Sequence, residues 1–470
     1  MLRNMTMKHA HLSSRAVVAM VAVSVTLGAL TLASSASAAT SHFKPVAESP
    51  VAVGNDPEAV AYDPNPDSAT GHPRIYVANR VDGDVIEIDA VTRALVGKPI
   101  VLKHSVGVTN PEPCAITVDA KDDLVLVANC ADDSVGVIDG ATNNEQLSSP
   151  RPVGQNPDAI AWDSVNGLVD VASYIDGTVS QFDPTRNTVA TVVKVGDPMT
   201  SKPEGIAVDP ASRQVFVALQ GDDALVVLPL DLSTQVRLTD DLHSPNAVAV
   251  DSARGQVYVA NYDSSTVTVF GATSGSELAG SPVTVGTNPN ALAVDPGTGI
   301  LYVADFNTGA SMIDETSLLV VATVGNQKGA GKPAGVTVDP TDHTAFFANQ
   351  ATANVTALQQ TESPTITSGN PVAGTVGDAY RFEFTATGIP MPTDFSLAGR
   401  LPAGLTFAGG VISGTPTESG DFVITLTVSN GVDPVATAQY TLHIDAVAPP
   451  TTTPTTPPTK PGGHLPTVAG

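Results

Sequence analysis

Seven positions of this 470-residue chain directly follow a proline and open onto a small-apolar run: Glu58, Cys114, Asp158, Glu204, Asn246, Asn290 and Ala334. Brought together, the three carboxylates and two amides among them (Glu58, Asp158, Glu204, Asn246, Asn290) could hold a hard cation such as Ca2+ through oxygen ligands. The alternative is that they hydrogen-bond neighbouring backbone and meet only water. A second set follows a recurrent second strand: Arg80, Tyr174, Gln220, Tyr262, Phe306 and Gln350. Tyr174, Tyr262 and Phe306 could form an aromatic platform for a glycan or a peptide, with Arg80 and Gln220 as polar contacts. Packing over strand ends is the alternative there.

A catalytic set is harder to assemble. His243 alone sits in a loop before one of the seven prolines, while His72, His104 and His343 read as turn or loop residues. No nucleophile motif supports a Ser-His-Asp arrangement, and no Walker loop, dinucleotide fingerprint, CxxC or HExxH occurs. Acidic residues outnumber basic ones 47 to 22, a formal net charge of −25. That balance repels nucleic-acid backbones and anionic membrane surfaces. The only cysteines are Cys114 and Cys130. An isolated pair in an exported chain favours a disulfide, with reduced buried thiols as the alternative.

The elements that must position these residues are repeats. Gly and Pro supply 40 and 37 residues, which favours short strands and tight turns over helices. One unit reads Pro245-Asn246-Ala247-Val248-Ala249-Val250-Asp251, then Tyr258-Val259-Ala260-Asn261, then Thr266-Val267-Thr268-Val269-Phe270. The second-strand alanine recurs at 78, 128, 172, 218, 260, 304 and 348, a period near 44 that suits four short strands and hence a propeller blade. In the first strand a bulky residue (Tyr62, Val118, Trp162) alternates with a small one (Ala61, Thr117, Ala161), so a large face can meet the next blade's small face. An Asp closes that strand in all seven units, from Asp63 to Asp339, where an Asx-type turn is expected rather than a metal ring. The hairpin register pairs 119 with 125 and 116 with 128, which sets Cys114 opposite Cys130 across neighbouring strands.

Val285-Gly286-Thr287-Asn288-Pro289, Ala293-Val294-Asp295-Pro296 and Tyr302-Val303-Ala304-Asp305 resemble the YVTN-type β-propeller repeat, over roughly two thirds of the chain. Downstream, Leu401-Pro402-Ala403-Gly404-Leu405 and Ile412-Ser413-Gly414-Thr415-Pro416 resemble the bacterial Putative Ig family of cadherin-like modules. That resemblance implies a spacer or adhesive unit and brings no catalytic residues. The strand-like runs Tyr380–Thr387 and Phe422–Val428 suit a small β-sandwich.

The expected organisation is all-β. Residues 1–38 read as a signal peptide, with Arg3, Lys8 and Arg15 before an uncharged run and Ala36-Ser37-Ala38 after it. An uncleaved anchor is the alternative. A seven-bladed propeller spans 42–358, with 42–53 supplying the outer strand of the last blade. A linker (359–363), an Ig-like sandwich (364–446) and a disordered Pro/Thr-rich tail (447–470) follow. The chain is therefore expected to be a non-catalytic binding or adhesion protein, secreted or held at the cell surface or wall. It is expected to be monomeric, to need no cofactor, and to present a propeller face to a protein or glycan ligand. It should have no stable membrane insertion and no nucleic-acid partner. The alternative is a secreted propeller enzyme of the metal-dependent lactonase or lyase type.

Overall fold

Each repeat folds as an antiparallel meander, because its short apolar runs are broken by turns that their own side chains specify. All seven strand-closing aspartates accept the N–H two residues on, from Asn65 to Asp63 through Thr341 to Asp339, at 2.8 to 3.0 Å. These are Asx turns. The recurrent second-strand asparagine has a local task as well. Asn79, Asn129, Asn261 and Asn349 are fully buried and donate five residues on, to Asp84, Ser134, Thr266 and Asn354. The computed structural model describes residues 41–46, 49–145, 149–186, 189–325 and 331–447. The expected signal peptide (1–38) and the expected Pro/Thr-rich tail from residue 448 lie outside the described residues.

The protein is an all-β, seven-bladed propeller joined to an Ig-like β-sandwich. The innermost strands are Pro57–Asp63, Pro113–Asp119, Pro157–Asp163, Pro203–Asp209, Pro245–Asp251, Pro289–Asp295 and Pro333–Asp339. Each packs beside the next, and the seventh packs against the first, so the ring is closed. The second strands are almost wholly buried, since blades cover them on both faces. In the last blade, Ser41–Pro45 runs antiparallel to the strand Asn354–Ile366, with Pro45 opposite Leu358 and Phe43 opposite Gln360. Val51–Ala52 pairs with Val355 and Asn354 of the same strand. The start of the described chain thus forms that blade's outer edge, and Phe43 packs edge-on to Tyr302 of blade six at 6.1 Å.

Residues 359–363, expected from the sequence to be a linker, lie inside this 13-residue strand. Its far end pairs with Ala386–Ile389, through Thr365 to Thr387 and Ile366 to Ala386. One strand therefore belongs to both units. The run Tyr380–Thr387 is accordingly split: Tyr380–Glu383 joins a three-stranded sheet, and Ala386–Ile389 joins the shared strand. The break falls where Phe384, 3% exposed, turns into the sandwich core beside Ile412, Ile424, Leu426 and Leu442. The two Gly-containing motifs face each other there. A Cβ on Gly414 (φ 137°) would lie 2.2 Å from the Gly404 carbonyl oxygen, so the backbones can approach this closely only without side chains.

Candidate functional site

The seven residues after the opening prolines are set apart by backbone, not by side chain. In every blade the ladder between the first two strands skips one residue just after the proline. Glu58, Cys114, Asp158, Glu204, Asn246, Asn290 and Ala334 are the skipped residues. Each is a bulge, which re-aims a side chain away from strict alternation. The residue before each proline is left-handed in all seven blades, from Asp56 (φ 58°) to Lys332 (φ 56°). Its carbonyl accepts the N–H of the residue that follows the second strand: Arg80 to Asp56 at 2.9 Å, Tyr174 to Asn156 at 2.9 Å, Gln350 to Lys332 at 3.1 Å. One sevenfold device thus places both sets at the same end of the channel.

There they enclose a cavity of about 630 Å3, walled below by Val60, Ile116, Ile160, Ile206, Val248, Leu292 and Val336. All seven bulge residues line it, as do Arg80, Tyr174, Gln220 and Tyr262. Phe306 does not, and Lys332 Nζ lies 5.1 Å from its ring centroid. Lys202 Nζ covers Tyr174 in the same way at 5.5 Å. The three expected aromatics are therefore not one open platform: two have a lysine on one face, and only Tyr174 and Tyr262 reach the cavity. His243 is not part of the wall.

Two of the three carboxylates are paired with glutamines. Glu58 accepts from Gln350 of the neighbouring blade, and Glu204 accepts from Gln220 at 2.5 Å. Asn246 Nδ2 donates to Asn290 Oδ1 at 3.0 Å, and Asn290 Nδ2 donates to the Ala334 carbonyl at 2.9 Å. Arg80 pairs with Glu112 at 3.2 Å. Water reaches these groups, yet the channel wall crowds them on every side. Burial raises Glu58 to about 7, against the pull of Arg80. It raises Asp158 to about 6, again opposed by Arg80. Burial, reinforced by Asp158, brings Glu204 to about 8.

Of the oxygen ligands expected from Glu58, Asp158, Glu204, Asn246 and Asn290, the three carboxylates do not meet as one group with ligand atoms within 4.8 Å of one another. Among the described residues, one group of three His, Cys, Asp or Glu side chains has its ligand atoms within 4.8 Å of one another: Cys114, Cys130 and Asp158. Cys114 and Cys130 form a disulfide, with Cα atoms 5.9 Å apart. The register behind it differs from the one read in the sequence. Asp119 pairs with Leu124 and Ala115 with Ala128, and Cys114 is the bulge rather than the partner of Cys130. The pair meets because Cys114 occupies the first ring and Cys130 follows the second strand of the same blade.

Comparisons with known proteins agree with this architecture. The family described as Putative Ig domain matches residues 345–445, a span that begins inside the last blade. No curated protein matches the chain. Among solved structures, the chain is similar to Kuenenia stuttgartiensis hydrazine synthase at 16% identity and TM-score 0.52, covering 65% of this chain and 95% of that one. It is also similar to a streptogramin B lyase at 10% identity and TM-score 0.54, covering 68% and 98%. A chain of a mitotic checkpoint complex is similar at 11% identity and TM-score 0.54, covering 74% and 99%. At these identities the likeness is one of fold, and fold does not carry function.

Proposed function

We propose that this is an exported, non-catalytic binding or adhesion protein of YVTN-repeat type. Its propeller mouth takes a protein or glycan ligand, while the Ig-like unit and the Pro/Thr-rich tail hold it away from the cell. One observation carries the reading: a sevenfold backbone device brings charged, amide and aromatic side chains into one cavity. A concave site with a few convergent polar groups is the usual form of a recognition site. The full chain, presented to glycan and protein arrays, is expected to give hits that Tyr262→Ala and Glu204→Gln both weaken. Hits indifferent to both substitutions would place recognition elsewhere.

A second reading, a secreted enzyme of lactonase or lyase type, draws support from the raised carboxyls of Glu58, Asp158 and Glu204, since an acid near neutrality can exchange protons. A lactone-hydrolysis screen, repeated with Glu204→Gln, tests it. Turnover abolished by that change favours the enzyme.

A further inference from the structure

Asp158 is the least satisfied carboxylate of the mouth. Among the described residues no N–H or O–H donates to it, and its near neighbour is Cys130 Sγ, 3.3 Å from Oδ1. A disulfide sulfur has no proton to give, so this contact is not a hydrogen bond. Two sulfurs and one carboxylate oxygen therefore lie within 4.8 Å of one another, on three chain segments that the propeller scaffold holds in place. Cys114 and Asp158 both line the cavity, so two of the three members of the triad border it, while Cys130 lies buried behind them.

We propose that the Cys114–Cys130 disulfide masks a site for a thiophilic divalent cation such as Zn2+, which opens when the bond is reduced. Reduction by a thiol-class reductant delivers two electrons and two protons. The S–S bond breaks, two S–H bonds form, and the reductant becomes a disulfide. Carbonyl acceptors already stand beside both sulfurs, Glu112 O 3.3 Å from Cys114 Sγ and Pro157 O 3.3 Å from Cys130 Sγ. Metal binding then releases both protons to solvent, and two thiolates with the Asp158 carboxylate become the ligands. Tetrahedral zinc holds sulfurs at about 2.3 Å and so sets them about 3.8 Å apart. The two sulfurs need only separate toward that span, with Asp158 already alongside. Two sulfurs exclude Ca2+ and Mg2+, which select oxygen. Three protein ligands leave a fourth position for water or a ligand in the cavity, the arrangement of open zinc sites. Neither the binding reading nor the enzyme reading is needed for this assignment.

The test uses the full chain with Co2+ as a spectroscopic probe, after reduction by a phosphine and removal of excess reductant. Circular dichroism before and after reduction establishes that the fold persists. Expected are a near-ultraviolet thiolate-to-cobalt band and a visible tetrahedral band, both lost on adding Zn2+ and neither formed by the oxidised chain. Asp158→Asn should weaken the metal at least about tenfold, and a joint Cys114→Ser, Cys130→Ser variant should abolish the bands. A reduced, folded chain without a thiolate band overturns the proposal. So does a band that Asp158→Asn leaves at equal strength and affinity, because the cysteines would then be binding without the site. If reduction unfolds the chain, the native triad cannot form and the proposal fails.

Discussion

Single side chains fasten the blades together at points that no repeat pattern marks. Arg74, 1% exposed, bonds Asp63 of its own blade, Asp123 of the next, and the Gly140 carbonyl at 2.5 Å. Its removal leaves the fully buried Asp63 with only turn N–H donors, and an abandoned buried charge is expensive. Arg74→Ala is expected to cost about 3 to 5 kcal/mol in guanidinium unfolding. The disulfide acts at the same scale through the unfolded chain. It spans 16 residues, and releasing it by the joint Cys114→Ser, Cys130→Ser change should cost about 3 kcal/mol. The comparison is made between oxidised parent and variant by denaturant midpoint.

At the scale of elements, ring closure rests on pairing between the two ends of the propeller. Ser41–Pro45 and Val51–Ala52 protect an edge that would otherwise stand open beside Asn354–Ile366. Deleting residues 42–53 is therefore expected to break the single cooperative melt of the propeller, read by calorimetry. A deletion variant that melts like the parent would show that the outer strand is ornamental. The shared strand adds a second consequence. Because residues 354–366 serve both units, truncation after Leu358 removes Gln359–Glu362, the partners of Lys44 through Ser41, and should lower the propeller's own melting temperature.

The whole molecule carries its acidity partly in buried form. Burial raises Glu87, Asp170 and Asp305 to about 7 and Glu315 to about 8, alongside the mouth acids. A carboxyl raised on folding binds its proton more tightly in the native chain. Its contribution is complete below the unfolded value near 4 and is lost as pH climbs through the folded value of 6 to 8. The formal charge of −25 acts in the same direction, since self-repulsion grows as carboxyls ionise. The melting temperature at pH 5.5 is therefore expected to exceed that at pH 8.5 by on the order of 5 °C. Millimolar Ca2+ should leave it unchanged under oxidising conditions, because the mouth carboxylates are not gathered around one point.

What the sequence alone determined is whatever local spacing encodes. The period near 44, the large–small alternation and the seven closing aspartates specify blades, their packing faces and their turns, all settled within a few residues of chain. The same spacing marked the residues after each proline as equivalent, so their convergence on one end of a channel was legible. Only the tertiary structure decided how they meet. A bulge absorbs one residue without disturbing the apolar pattern, so the register of Cys114 could not be read from that pattern. Which rings a lysine covers, and that Asp158 stands beside a disulfide from the previous blade, depend on contacts between segments far apart in the chain. The linker became a strand for a similar reason. Residues 359–363 have no pattern of their own, and two partners distant in sequence, Ser41–Pro45 and Ala386–Ile389, supply the hydrogen bonds that extend them.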